Sequence, residues 1–154
     1  MKPLLEVSDV CLSYHSISGE TRVLSHISFS LFPGEFLAVV GPSGCGKSTL
    51  LNLICGLLKP EQGQILLNGE PVFAGDCRIG YMLQKDHLLE WRKIYKNVIL
   101  GLEIRKELTA EKLAYVNQML LTYGLDKFRN AYPSQLSGGM RQRAALIRTL
   151  ALSP

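Results

Sequence analysis

The sequence has no C-x-x-C pair, no low-complexity segment and no apolar run approaching the length of a membrane span. Its cysteines lie far apart, with no histidine at ligand spacing, and they are Cys11, Cys45, Cys55 and Cys77. We therefore expect neither zinc nor a disulfide framework, but reduced thiols in a cytoplasmic protein. The first residues lack a signal-peptide pattern, and a membrane helix needs about 18 apolar residues. Any membrane role is expected to come through a partner.

Clusters of one charge sign are also lacking. The formal net charge is +4, and the basic residues are scattered along the 154-residue chain. This favours an ordinary basic domain over a nucleic-acid groove, so no nucleic-acid partner is expected. Hydrophobic residues make up 47% of the chain, which is enough to bury a core in about one domain.

The most informative stretch runs from Phe36 to Leu58. An unbroken apolar run, Phe36–Val40, precedes a glycine-rich turn, Gly41–Gly46, which is followed by Lys47, Ser48 and a leucine-rich helix pattern. This is G-x-x-x-x-G-K-S/T between a strand and a helix, the context in which the motif holds nucleoside-triphosphate phosphates. The alternative is a glycine-rich turn with a surface lysine.

The chemistry of this loop follows from its residue types. Its glycines leave no side chain between the backbone and a phosphate, and N–H groups from about Gly44 to Thr49 point at the oxygens. Lys47 reaches the β- and γ-phosphates as a candidate catalytic residue, and the Ser48 hydroxyl is placed for Mg²⁺. The predicted phosphate-binding residues are Gly41, Pro42, Ser43, Gly44, Cys45, Gly46, Lys47, Ser48 and Thr49.

Cys45 lies inside this ring of donors, near a helix N-terminus, where thiols become more reactive. We hypothesise that it reacts with alkylating agents and that bound nucleotide shields it. The alternative is a small neutral residue that fills a loop position.

The patterns around the loop predict an α/β protein that is β-rich first, then strand–loop–helix, then α-rich. The predicted strands are residues 4–14, 22–32, 36–40, 64–68, 70–73 and 78–83, of which 36–40 is expected to be covered on both faces. Asn68-Gly69 predicts a hairpin turn. Helices are predicted after the loop up to Leu58, over 94–106 and 110–123, and from Ser137 to Pro154, with Thr109 and Ser137 as N-caps and Gly124 as a stop.

A second glycine motif, LSGGMRQR, runs from Leu136 to Arg143. Ser137 is a natural N-cap, and Gly138 and Gly139 expose bare backbone at a helix start, which makes a second potential anion site. Capping alone does not explain the two glycines, because glycine is a poor helix former.

Taken together, the P-loop, Gln84 at the end of a predicted strand and the L-S-G-G motif resemble the nucleotide-binding domain of ATP-binding-cassette (ABC) proteins. The resemblance covers nearly the whole chain, from Tyr14 to Pro154. It implies a P-loop NTPase core with an N-terminal antiparallel β part and an all-helical insertion. It also implies three parts: 1–85 with the β part and the P-loop core, 86–136 as the helical subdomain, and 137–154 as the signature helix.

The resemblance implies roles for residues outside the P-loop. Tyr14 resembles the aromatic residue that stacks on adenine; the alternative is a strand aromatic on the core face. Gln84 resembles the Q-loop glutamine, which approaches Mg²⁺ and the attacking water, so it is a candidate catalytic and metal-binding residue. The motif Leu136–Met140 resembles the signature that contacts ATP held by another subunit, which implies a head-to-tail dimer. The ATP-binding residues implied there are Ser137, Gly138 and Gly139.

The segment HLLEWRKIYKNVILGLE resembles importer ATPases of the nitrate, sulfonate and taurine group, with Glu90 where proline is usual. This implies that Leu88, Leu89 and Trp91 contact an integral-membrane permease; the alternative is packing within the helical insertion. It also implies a place on the cytoplasmic face of the cell membrane and a solute-binding protein as an indirect partner.

In the family, the Walker B carboxylates and the switch histidine follow the signature helix, which here ends at Pro154. Two alternatives therefore remain: a truncated ATP-binding subunit of an importer driven by ATP hydrolysis, or a nucleotide-binding module without turnover. The strands that flank 36–40 in the family also come later, so we expect an incomplete core sheet and a chain that is marginal or aggregation-prone alone. A P-loop kinase or GTPase has no need of L-S-G-G, and the Trp91 segment disfavours a soluble cassette protein acting on ribosomes or DNA.

Overall fold

The computed structural model describes residues 2–17, 19–74, 76 and 78–153, which fall into two units, Met1–Asp76 and Cys77–Pro154. Cys77, one of the four thiols, lies outside the described residues. Within those residues no helix combines the length and the apolar character that crossing a membrane requires.

The first unit contains an antiparallel sheet of four strands in the order β2-β1-β3-β4. The central strand β1 (Leu5–Ser16) pairs with β2 (Gly19–Leu31) on one side and with β3 (Gln62–Leu67) on the other. The short strand β4 (Glu70–Pro71) completes the hairpin with β3. The buried apolar residues of the strands are Leu5, Val7, Val10, Cys11, Leu12, Leu24, Ile65 and Leu67.

The predicted hairpin turn at Asn68-Gly69 is confirmed. Both residues have positive φ, 54° and 82°, as a two-residue turn between antiparallel strands requires. The strands over 4–14 and 22–32 are confirmed as β1 and β2 as well. The alternation of apolar and polar residues was sufficient for this part of the fold.

The prediction of a strand covered on both faces at 36–40 is wrong for the structure. These residues have no strand geometry, and Phe36 and Val40 are 93% and 87% exposed. An apolar run forms a buried strand only where neighbouring strands satisfy its backbone, and the described sheet places none beside it. Aggregation of the isolated chain stays a prediction, and this exposed run is the feature on which it depends.

The helix after the P-loop is shorter than predicted. Helix α1 spans Lys47–Ile54 and buries Leu50 and Leu53, whereas Leu57, within the predicted helix, is 54% exposed. The chain turns at Gly56, whose φ is 69° and whose backbone lies so close to Phe73 that an added Cβ would be 2.4 Å from that residue's carbonyl carbon. The apolar residues after Ile54 therefore lie beyond the helix.

The second unit contains helices and no strand among its described residues, so the strand predicted for 78–83 is not formed. Its helices are α2 (Ile94–Val98), α3 (Leu100–Arg105), α4 (Ala110–Thr122) and α5 (Gly138–Leu150). The single helix predicted over 94–106 is thus two helices that meet at Ile99, whose φ of −85° and ψ of 3° interrupt the first. Without a glycine or proline at that point, periodicity could not reveal the break.

Both boundaries of α4 are as predicted. The Thr109 hydroxyl accepts a hydrogen bond from Lys112 N at 3.3 Å, and Gly124 ends the helix region with a φ of 69°. The core of this unit joins α2, α3, α4 and α5 and includes Ile94, Val98, Ile99, Leu102, Val116, Leu120, Ala144, Ile147 and Ala151.

Candidate functional site

Lys47, the first residue of α1, lies folded over the glycine-rich loop. Its Nζ donates to the carbonyl oxygens of Gly41 and Pro42, at 2.8 and 2.7 Å, and lies 3.6 Å from Cys45 Sγ. The ammonium group is therefore held against the loop rather than extended into solvent. This placement favours a phosphate-binding role over a surface lysine.

The loop needs glycine at two positions for different reasons. Gly44 has a φ of 80° and open space around it, so its backbone conformation is the constraint. Gly46, with a φ of 96°, is also crowded, since an added Cβ would be 3.0 Å from Leu24 Cδ2 and from Val23 O. Sheet and loop are thus fitted together at the start of α1.

The N-terminal end of α1 offers hydrogen-bond donors. The first intrahelical bond joins Leu50 N to Gly46 O at 2.8 Å. The N–H groups of Lys47, Ser48 and Thr49 precede that bond, and no acidic residue lies in the first helical turn. These donors, the positive end of the helix and the Lys47 charge together make a site for an anion of several oxygens.

The residues present also fit a magnesium–phosphate ligand. Ser48 is exposed at the start of α1, and the described residues contain no group of three or more His, Cys, Asp or Glu able to hold a metal alone. Mg²⁺ at such sites takes few protein ligands and completes its shell with phosphate oxygens and water. Ser48 is the protein ligand that this loop can supply.

Tyr14, near the end of β1, lies close to the same loop. Its hydroxyl is 3.5 Å from Thr49 Oγ1, and 48% of the residue is exposed. The alternative of a strand aromatic on the core face is therefore wrong. A half-exposed ring beside a phosphate site is available for stacking.

The second glycine motif forms the start of α5. Ser137 is its N-cap, with Oγ accepting from Met140 N at 3.4 Å. Neither Gly138 nor Gly139 has positive φ, and an added Cβ at either would meet nothing within 4 Å among the described atoms. Among the described residues, neither backbone conformation nor lack of space explains these glycines.

Gln84 is exposed in the second unit, where α5 contacts it. Its carbonyl oxygen accepts from Gln142 Nε2 at 3.2 Å. Further along, Arg141 Nε lies 3.2 Å from Asp86 Oδ2, and Arg148 donates to the backbone of Asp86 and His87. The structure therefore brings Gln84 and the helix of the L-S-G-G motif together, whereas the P-loop and Tyr14 belong to the first unit.

The segment after Gln84 presents Trp91, which is 75% exposed. Leu88, another candidate for partner contact, is 7% exposed and belongs to the core, so the packing alternative is correct for this residue. Arg92 is turned back onto Glu103, with 2.5 Å between Nη2 and Oε2. Leu89, the third candidate, is half-buried, and Trp91 is the most exposed large apolar side chain of this segment.

Sequence reasoning missed Asn97, which shapes this segment. It is fully buried; its Oδ1 accepts from Leu89 N at 2.7 Å, and its Nδ2 donates to the carbonyls of Leu89, Arg92 and Lys93. The signal available in the sequence was an asparagine between apolar residues of a helix, where a buried amide needs local partners.

A glycine-rich loop that holds a lysine at the start of a helix defines the first unit as a P-loop nucleotide-binding protein. The family model described as ABC transporter matches residues 24–154, and the chain belongs to this family.

Similar proteins agree with this assignment. The chain is 46% identical over 150 residues to YtlC of Bacillus subtilis, an uncharacterized ABC transporter ATP-binding protein, with 97% of this chain and 58% of YtlC covered. It is 40% identical over 150 residues to the taurine import ATP-binding protein TauB of Pseudomonas aeruginosa, with 97% and 57% covered. The chain thus spans less than three fifths of the length of either relative.

Solved structures show the same fold. The dimeric post-hydrolysis structure of the ATP-binding cassette MJ0796, bound to ADP and Pi, has a TM-score of 0.85 at 30% identity and matches 97% of this chain and 70% of that one. The cbiO1 structure from Clostridium perfringens has a TM-score of 0.80 at 26% identity and matches 100% of this chain and 63% of that one. The expected α/β cassette fold, with its antiparallel β part and helical part, is confirmed.

Proposed function

We propose that the chain binds ATP in its P-loop and forms part of the ATPase subunit of an importer. In this role it couples ATP binding and hydrolysis to uptake of a small solute of the nitrate, sulfonate or taurine kind. The observation that carries the proposal is the Lys47 ammonium held on the carbonyl oxygens of Gly41 and Pro42, beside the donors at the start of α1. The TauB relative supports the choice of solute class.

Each residue of the site is proposed to have a separate role in binding ATP. Lys47 neutralises charge on the outer phosphates, the loop N–H groups hold their oxygens, and Tyr14 stacks on adenine. Ser48 holds Mg²⁺, which supplies further charge neutralisation at the phosphates. Gln84 is proposed to approach this metal and the attacking water.

Lys47→Ala tests the proposal. We expect ATP affinity, measured by calorimetry, to fall at least about tenfold, because one charge-assisted contact contributes roughly 1.5–3 kcal/mol. Lys59→Ala is the matched control, since Lys59 is exposed beyond the end of α1 and should leave affinity unchanged. Equal affinity of the Lys47 variant and the parent chain would contradict the proposal.

A binding module without turnover is the second candidate. It is supported by the contacts at the P-loop, where the Lys47 ammonium and the donors at the start of α1 account for phosphate binding by themselves. Phosphate release, measured separately from binding, distinguishes the two. Release that disappears in Lys47→Ala supports the ATPase, whereas binding without release supports the module.

The L-S-G-G motif is proposed to contact ATP held by a second cassette subunit, in a head-to-tail pair. Its support is the pair Gly138 and Gly139, which nothing within the described chain requires. In this pair, Ser137 and the two glycines offer backbone and hydroxyl donors to the outer phosphate. The dimeric MJ0796 structure is consistent with pairing.

Trp91 is proposed to contact an integral-membrane permease, since it is 75% exposed, whereas Leu88 of the same segment is buried in the core. The protein then lies at the cytoplasmic face of the membrane, meets a solute-binding protein only indirectly, and has no nucleic-acid partner. The division into 1–85, 86–136 and 137–154 is proposed to describe the β and P-loop part, the helical subdomain and the signature helix of this subunit.

A further inference from the structure

Glu61, in the connection between α1 and β3, binds the chain on both sides of Tyr14. Its Oε2 accepts a hydrogen bond from Ser13 N at 3.0 Å, and its Oε1 lies 3.2 Å from His15 Nε2. Its own N–H donates to Cys11 O at 3.0 Å. One residue therefore holds three positions of β1 around the aromatic ring.

The sheet explains why a side chain is needed at this place. The last described pair between β1 and β3 is Cys11 with Gln62, so β3 does not continue beside Ser13 and Tyr14. Ser13 is only 6% exposed, and its N–H needs an acceptor in place of water. The Glu61 carboxylate accepts the hydrogen bond that a carbonyl oxygen of a neighbouring strand would otherwise accept.

The backbone of Tyr14 pairs with Thr21 of β2, but its side chain has few other restraints. It is 48% exposed, and its hydroxyl lies 3.5 Å from Thr49 Oγ1, the upper limit for a hydrogen bond. Core packing therefore does not fix the ring. Its position depends on the backbone of β1, which pairs with β2 on one side. On the other side, Ser13 N donates to Glu61, whose second carboxylate oxygen lies beside the His15 imidazole.

We propose that Glu61 is a positioning residue for recognition of the nucleotide base. By fixing β1 on both sides of Tyr14, it holds the ring in place before the adenine stacks on it, so that binding does not have to order it. This inference rests on the proposed ATP binding at the P-loop. It adds that two parts of the first unit set two different affinities. Glu61 and Tyr14 set the affinity for the base, and Lys47 with the P-loop sets the affinity for the phosphates.

The test compares two ligands, ATP and inorganic tripolyphosphate, by calorimetry on the whole chain. Glu61→Ala should lower the affinity for ATP about fivefold or more. This loss corresponds to part of the roughly 1–3 kcal/mol that a stacked base contributes to binding. Tripolyphosphate affinity should stay within about twofold, because Glu61 has no contact with the P-loop among its described bonds. Tyr14→Ala should show the same selective loss, and more of it.

Two further variants make the result specific. Glu61→Gln keeps an acceptor for Ser13 N and should retain most of the ATP affinity. Glu20→Ala removes the same charge from the β2 residue that pairs with His15 and should leave both affinities unchanged. Equal loss for both ligands in Glu61→Ala, or no loss for either, overturns the inference. Absence of binding by the unmodified chain instead overturns the proposed function, and the inference with it.

Discussion

The Arg148 guanidinium holds the backbone of Asp86. Nη2 donates to Asp86 O at 2.6 Å, and Nη1 donates to His87 O at 2.8 Å. Burial lowers the pKa of Arg148, and the Asp86 charge acts in the opposite direction, but an arginine remains charged at any physiological pH. The segment that follows Gln84 is therefore fastened to the helix that begins with the signature glycines.

Arg148→Lys should loosen this segment. An ammonium on a shorter arm cannot donate to both carbonyls as the planar guanidinium does, and each lost bond costs about 1–3 kcal/mol where it leaves a buried acceptor. Amide hydrogen exchange at Leu88 and Leu89 should accelerate about tenfold or more, as expected for that loss. Lys127→Ala, on an exposed turn, is the control, and unchanged exchange in Arg148→Lys would show that the clamp is unimportant.

Asn97→Ala should disorder the segment that carries Trp91. The substitution leaves Leu89 N and the carbonyls of Leu89 and Arg92 without their buried partner, at a cost of about 2–4 kcal/mol. Far-UV circular dichroism during urea unfolding follows the loss of α2, α3, α4 and α5, which make up the core of this unit. Asn130→Ala removes an exposed amide and should leave the midpoint unchanged; an unshifted midpoint in the Asn97 variant would contradict the assigned role.

These residues also show what the sequence could and could not predict. The P-loop, the N-caps Thr109 and Ser137 and the turn at Asn68 depend on local chemistry, and local pattern was enough to find them. The prediction of a buried strand at 36–40 was wrong because such a strand forms only between neighbouring strands. The sequence of the run itself carries no information about those neighbours.

Positioning residues are harder still to predict. Glu61 and Arg148 act on backbone groups 48 and 62 positions away in the chain, so no local pattern distinguishes them from surface charges. Trp91 and Leu88 illustrate the same limit, since both are large apolar side chains of one segment and only the fold buries one and exposes the other.

Cys45 should be the first described thiol to react with N-ethylmaleimide. It is exposed and 3.6 Å from the Lys47 ammonium, whereas Cys11 is buried. Burial raises the pKa of the Cys55 thiol, so a smaller fraction is thiolate at neutral pH, and its alkylation should become appreciable only at higher pH. Mass spectrometry of modified peptides checks this order. ATP should slow modification of Cys45 at least about fivefold if it occupies most sites, and rates that are equal with and without ATP would exclude shielding.

The second unit should become less stable in acid, because protonation of Glu103 removes its stabilising interaction with Arg92. The hydrogen bond from Arg92 lowers the pKa of this carboxyl, with a smaller contribution from Lys96 and some opposition from burial. A lowered folded pKa means that the stabilisation is complete above the unfolded value of about 4.3 and disappears as pH falls through the folded value. Glu103→Gln should therefore lose up to about 1 kcal/mol of unfolding free energy at pH 7 and match the parent near pH 3, while Glu20→Gln changes neither. An equal difference at both pH values would assign the effect to packing.

Gly138→Ala should stabilise the chain and impair its pairing. Because Gly138 has neither positive φ nor a neighbour within 4 Å of an added Cβ, alanine should raise the unfolding free energy by about 0.5–1 kcal/mol. Gly124→Ala is the matched control, since its φ of 69° is strained for alanine and should lower stability by about 1 kcal/mol. If the bare backbone of α5 meets a nucleotide on a second subunit, the same methyl group should weaken ATP-dependent association, measured by sedimentation, at least about tenfold. If Gly138→Ala raises stability but leaves association unchanged, the signature glycines do not act at the subunit interface. Their presence would then have no structural explanation.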